Sequence, residues 1–146
     1  MGRIGDVLLE KGDTVHTIES AATVFDAVKR MVDVGVGALL VTDGGKICGM
    51  ITERDYLRRI AVEGRTSRTT LVREIMSSPV VCIESSADVA ECMALMTHKR
   101  IRHLPVVDHE RLVGLVSIGD LVRSVSKEHS FHVQVLTDYI AGKYPA

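Results

Sequence analysis

The chain has 146 residues, 46% of them hydrophobic, with 18 basic side chains against 19 acidic ones. That balance speaks against a general nucleic-acid or anionic-membrane binder. No apolar run approaches the ~18 residues that a membrane-spanning helix needs.

In chain order, Ile4-Gly-Asp-Val-Leu8 is a short amphipathic segment. An extended piece, Val15–Ile18, precedes a helix that starts at Ser20 or Ala22-Thr23. Val24, Ala27, Val28 and Met31 share one face of it, at the three-and-four spacing of a helix. The run Val36–Thr42 then turns at Asp43-Gly44-Gly45 into Lys46–Ile51, a good hairpin signal. A closing helix starts at Thr52. After the polar linker 63–70 the same elements return. Val72–Met76 is amphipathic and Val80–Ile83 is extended. A helix follows from Ser86-Ala-Asp88, with Val89, Cys92, Met93 and Met96 on one face. The hairpin Ile101–Val107 and Arg111–Val116 leads to a helix from Ser117. Beyond it, Val133, Leu136 and Ile140 continue an apolar stripe with no counterpart in the first half.

The halves are copies. Residues 15–58 align with 80–123 without a gap, and thirteen of these forty-four positions are identical, from Val15/Val80 through Gly49/Gly114 and Asp55/Asp120 to Arg58/Arg123. A duplication at one fixed offset implies two like units related by a pseudo-two-fold axis. The expected class is α+β: two β-α-β-β-α repeats, residues 1–64 and 65–127, with a helical extension over 128–146. Units this small are marginal alone, so a shared core is expected.

Chemistry-bearing residues are sparse. Cys48, Cys82 and Cys92 are scattered, with no CxxC, and read as small hydrophobes of a reducing compartment. Met1-Gly-Arg-Ile-Gly-Asp6 has no signal-peptide pattern, so a cytoplasmic location is expected, or an organelle matrix if a presequence was removed. His129 and His132 are three apart, but no Cys or carboxylate cluster completes a metal site. No nucleophile–base pair, Walker loop or catalytic carboxylate pair is present, so neither catalysis nor a catalytic cofactor is expected. Arg58, Arg59, Arg65 and Arg68 read as a solvated linker. Thr52-x-x-Asp55 and Ser117-x-x-Asp120 each form a helix capping box. Arg54, in the first turn of its helix, opposes the helix dipole and is therefore not there for helix stability.

Gly49-Met-Ile-Thr-Glu-Arg-Asp55 and Gly114-Leu-Val-Ser-Ile-Gly-Asp120 resemble the G-h-h-[ST]-x-x-D signature of CBS domains, named after cystathionine β-synthase. Ile101-Arg-His-Leu-Pro-Val-Val-Asp108 resembles the family's strand motif. The resemblance covers nearly the whole chain and extends to stand-alone CBS-pair proteins of bacteria and plant organelles. It implies a sensor or regulator that binds an adenosine ligand (AMP, ATP or NAD(H)) in interdomain clefts without catalysis. Asp55 and Asp120 would take the ribose, with Thr52 and Ser117 beside them. Arg54, Arg102 and His103 would take phosphate. Val36, Gly37, Ala38, Ile101 and the strand-motif Pro105 would face the base. Asp120 is expected to matter most, because its repeat also carries Arg102-His103. The first repeat has Val36-Gly-Ala-Leu-Leu40 where the second has Ile-Arg-His-Leu-Pro, so any phosphate clamp is asymmetric. The C-terminal stripe implies a homodimer held in part by that helix, which fits the association of tandem pairs in the resembling family. The alternative is a structural dimerisation module whose nucleotide sites are degenerate.

Overall fold

The computed structural model describes residues 2–128; the expected C-terminal extension, with Val133, Leu136 and Ile140, lies outside them. Helix α1 (Ile4–Lys11) buries Ile4, Val7 and Leu8, the apolar stripe read from their spacing. Strand β1 (Thr17–Glu19) runs parallel to β2 (Ala38–Asp43), and β2 pairs antiparallel with β3 (Lys46–Thr52). Between β1 and β2 lies α2 (Val24–Val34), which buries Val24, Ala27 and Met31. The Thr23 hydroxyl accepts from the Asp26 amide at 3.1 Å and caps it. After β3 comes a single helical turn, α3 (Glu53–Tyr56), which widens into a π-helical turn over Leu57–Ala61.

The second repeat retraces this path. A short helix, α4 (Val72–Ile75), leads to α5 (Val89–Lys99), which buries Val89, Cys92 and Met96 and is capped by Asp88. Strands β4 (His103–Asp108) and β5 (Arg111–Ser117) repeat the β2–β3 register. His103 faces Ser117 as Ala38 faces Thr52, and the strand irregularity falls at the duplicated position, Val106/Val107 for Val41/Thr42. Helix α6 (Ile118–Glu128) closes the repeat.

One predicted strand shrinks. Val80–Ile83 contributes only a parallel bridge, Ile83 to Val106. In the first repeat the Ser20 amide continues the ladder to the Thr42 carbonyl at 2.9 Å. The equivalent Ser85 amide goes instead to the Asp108 carboxylate at 3.0 Å, and where the Leu40 amide donates to the His16 carbonyl at 3.1 Å the second repeat has Pro105, which has no amide hydrogen, so the pairing is cut short on both sides of Ile83.

The compact units divide the chain differently from the duplication. Among the described residues, one comprises Thr14–Val81; the other joins residues 2–13 to 82–128. Helix α1 precedes the first repeat in sequence but packs with the second: the Ile4 and Gly5 amides donate to the Ala87 and Ser85 carbonyls, both at 2.9 Å. Helix α4 does the same for the first repeat, with Val72 donating to Ala22 at 2.8 Å. The 64/65 boundary marks where the sequence repeats. Where an amphipathic segment finds its apolar partner is a separate matter, which periodicity does not encode.

Most of the buried residues form two clusters, one within each unit. Ile4, Val7, Leu8, Val89, Cys92, Met96, Leu104, Val106, Val116 and Leu121 fill one. Val24, Ala27, Met31, Leu39, Val41, Ile51, Ile60, Val72 and Ile75 fill the other. Burying each such side chain contributes ~1.5–3 kcal/mol. The borrowed helices therefore supply a real share of each core.

Candidate functional site

The carboxylate of each repeated signature, Asp55 or Asp120, stands in the first turn of its closing helix. Thr52 leaves β3 with extended backbone, φ −124°, and caps α3. Its amide donates to Asp55 Oδ2 at 2.9 Å, and its hydroxyl donates to the same oxygen at 3.1 Å. The Asp55 amide donates back to Thr52 Oγ1 at 3.2 Å. The remaining oxygen, Oδ1, accepts from the Ser77 hydroxyl at 3.1 Å. Ser77 sits just beyond α4, in the stretch that bridges to Met50. Asp55 is half-buried, its partners are neutral, and among the described residues it makes no ion pair.

The second capping box is built alike, with the Ser117 amide on Asp120 Oδ2 at 2.8 Å and the Asp120 amide on Ser117 Oγ at 3.1 Å. Its surroundings differ. Lys11, the last residue of α1, donates from Nζ to Asp120 Oδ2 at 2.7 Å and to the Leu115 carbonyl at 2.7 Å. Arg123, one turn along α6, donates to Asp120 Oδ1. The Asp120 side chain is only 6% exposed. Burial alone pushes its carboxyl up, but the Lys11 ammonium and the Ser117 amide outweigh burial and hold it below the usual value.

The capping boxes were legible in the sequence; their covering groups were not. Arg123, three residues after Asp120 on one helix, had a readable signal. Lys11 and Ser77 arrive from distant segments and had none. Arg58 occupies the duplicated position of Arg123 but leaves Asp55 alone, in the repeat whose helix widens from Leu57 onward.

The other expected site residues divide between surroundings. Ala38 is buried opposite Thr52. Val36 and Gly37 instead line a hollow of about 500 Å³ with Val28, Val32, Tyr56 and Leu57. Glu53 also lines it, whereas Thr52 and Asp55 do not. Gly37 matters through its carbonyl, which accepts from the Glu53 amide at 3.0 Å, and through its missing Cβ, which would stand 3.1 Å from Glu53 Oε1. Arg102 reproduces the carbonyl contact, accepting from the Ile118 amide at 2.8 Å, and its side chain is exposed. Ile101 and His103 are half-buried, and Pro105 is buried, with its carbonyl accepting from the Ile83 amide at 3.0 Å. Arg54 is exposed and enters no ion pair among the described residues.

Gly49 and Gly114, the first residues of the repeated signature, now have a reason. A Cβ on Gly49 would meet Met76 Sδ at 2.5 Å and the Ser77 carbonyl at 3.0 Å. One on Gly114 would meet Leu8 Cδ2 at 2.6 Å. In both repeats glycine admits the borrowed segment onto the hairpin.

A family model for the CBS domain matches residues 5–62 and again 72–127. The chain belongs to the CBS domain family. It is 43% identical to the mitochondrial CBS domain-containing protein CBSX3 of Arabidopsis thaliana over 150 residues, 97% of this chain and 73% of that protein. It is 36% identical to CBS domain-containing protein YhcV of Bacillus subtilis, covering 78% and 81% of the two chains. A solved CBS-domain structure from Burkholderia ambifaria superposes with a TM-score of 0.83 at 47% identity, over 85% of this chain and 93% of that one. CBS pairs are commonly regulatory or sensor modules, and the glycine, hydroxyl and carboxylate of the CBS signature occur here at equal places in both repeats. Among the described residues no helix is long and apolar enough to cross a membrane, and no three His, Cys, Asp or Glu side chains gather as metal ligands.

Proposed function

We propose that this CBS pair is a regulatory module that binds an adenosine ligand, AMP, ATP or NAD(H), without converting it. The observation that carries the reading is the state of Asp55. Its carboxylate is half-buried at a helix start, and its partners are one amide and two hydroxyls. A ribose offers two hydroxyl donors of the same kind as Ser77 and Thr52. Exchanging one hydroxyl for another on a carboxylate has little net cost, because each makes a charge-assisted bond. Exposed Arg54, next to Asp55 in sequence, is proposed to take phosphate by its fork geometry. The family resemblance assigns the same task to Arg102 and His103 in the other repeat, whose Asp120 is already held by cations.

Calorimetric titration with AMP, ATP, NAD, NADH and adenosine tests this. Binding without turnover is expected. Asp55→Ala should lose ~10–150-fold in affinity, the ~1.5–3 kcal/mol of bonds to a charged acceptor. Arg54→Ala should weaken AMP and spare adenosine. No binding by any of the five would overturn the reading.

The alternative, a dimerisation module with degenerate sites, draws support from Asp120, whose carboxylate is already engaged by two cations. We also propose a homodimer, from the apolar stripe Val133, Leu136 and Ile140. Truncation after Lys127 should shift the mass seen by light scattering toward monomer; an unchanged dimer would sink that part.

A further inference from the structure

We infer that Lys11 seals the Asp120 carboxylate, with Arg123 on its other oxygen, and that of the two signature carboxylates the seal leaves Asp55 open to a ligand. The second half rests on the nucleotide reading above; the first does not.

The two carboxylates have similar numbers of partners, so counting hydrogen bonds does not separate them. Oδ2 of each takes two donors and Oδ1 takes one. What separates them is charge and cover. The oxygens of Asp55 are held by neutral groups. Those of Asp120 are held by an ammonium at 2.7 Å and a guanidinium, on a side chain 6% exposed against 31% for Lys11. A ribose hydroxyl displacing Lys11 would break a partly buried ion pair and strand the ammonium beside the Leu115 carbonyl. Displacing the ammonium separates two opposite charges, whereas displacing Ser77 exchanges one hydroxyl for another on the same carboxylate. Lys11 is also not a loose surface cation. It ends a helix whose Ile4, Val7 and Leu8 are buried in the same unit, so its stem starts from a fixed place. A lysine at a helix C-terminus is further favoured by the helix dipole. The first repeat has a serine, Ser77, from its own borrowed segment where the second has this lysine.

The test begins without nucleotide. The full-length protein is treated with a water-soluble carbodiimide and excess glycinamide, then digested and read by peptide mass spectrometry. The expected result is a Lys11–Asp120 amide cross-link, and glycinamide on Asp55 at least tenfold above that on Asp120. Lys11→Met should abolish the cross-link and raise Asp120 labelling severalfold; Lys11→Arg should keep Asp120 protected. Equal labelling of Asp55 and Asp120 in the native chain, with no cross-link, would overturn the seal. AMP calorimetry is the second arm. One site per chain is expected, lost in Asp55→Asn, with a second site appearing in Lys11→Met. Two equal sites in the native chain, or a single site that survives Asp55→Asn, would overturn the assignment to Asp55. If AMP binds to none of these proteins while the cross-link forms, the nucleotide reading fails and the seal stands.

Discussion

Asp55 and Asp120 began as the same residue in a duplicated sequence, and each still caps its helix through the same reciprocal bonds to Thr52 or Ser117. Each is also covered by a segment borrowed from the other side of the repeat boundary. One cover is a hydroxyl and the other an ammonium. Identical local chemistry thus yields one half-buried carboxylate with neutral partners and one buried carboxylate in an ion-pair network. A capping motif fixes where a carboxylate stands; the groups that reach it from afar decide whether it is available.

The largest test of this contrast is stability. Asp120→Ala removes the partner of Lys11 and the cap of α6, and should cost about 2–4 kcal/mol in urea unfolding, since breaking a buried pair leaves its other charge uncompensated. Lys11 and Arg123 retain some solvent, which keeps the figure toward the lower end. Asp55→Ala loses its capping bonds and the Ser77 hydroxyl but strands no charge, and should cost about 1–2 kcal/mol. Equal losses would erase the distinction. The same network sets a pH signature. The folded-state carboxyl of Asp120 is held below its unfolded value of 3.8, so its contribution is present above that pH and is lost as pH falls through the folded value. Acid unfolding of Lys11→Met should therefore fall less steeply over that window than that of the native chain. Parallel curves would show that Lys11 does not depress the carboxyl.

A smaller effect is expected at the signature glycines. Gly49→Ala drives a Cβ against a backbone carbonyl as well as Met76, and should cost about 2 kcal/mol. Gly114→Ala meets only the end of Leu8 and should cost about half as much. Thermal melts of the two variants measured side by side decide it. A larger loss at Gly114 would mean that α1 is the less yielding of the two docked segments.

The smallest effect concerns turns. The first repeat places glycine wherever the chain turns left-handed: Gly35 after α2, and Gly44 and Gly45 in the hairpin. The second repeat has Arg100, His109 and Glu110 at those positions, with φ of 56°, 50° and 64°. Arg100→Gly should gain up to about 1 kcal/mol, and Gly35→Ala should lose about as much. No gain for Arg100→Gly would show that its exposed side chain contributes more than its backbone loses.

Much of this was readable in advance. The duplication predicted two copies of one β-α-β-β-α unit, and the helix faces of α2 and α5 follow from residues three and four apart. Asp43-Gly-Gly predicted its hairpin outright. The strand expected at Val80–Ile83 shortens to one bridge, because Pro105 cannot donate where Leu40 does and the Ser85 amide turns to Asp108, a side chain across the turn. The capping boxes were visible because both ends lie within three residues. Lys11 and Ser77 were not, since a contact across 109 residues in one case, and from a separately docked segment in the other, leaves no periodic trace. Val36 and Gly37 line a hollow with Glu53, Tyr56 and Leu57, the neighbours of Thr52 and Asp55 in the chain.

The borrowed helix α1 has a further consequence, for synthesis. Residues 14–81 form a continuous unit that has all its parts once they have left the ribosome. Helix α1 emerges earlier still, yet the residues it clasps are among the last described; Lys11 waits for an aspartate 109 positions downstream. Until then the nascent chain carries the unsheltered apolar face of Ile4, Val7 and Leu8. Such distant closure slows folding, because the loop entropy is spent before the contact forms. A tag or deletion at the N-terminus would thus be felt not in the neighbouring repeat but at the opposite end of the sequence, where β5 and α6 would lose their clasp.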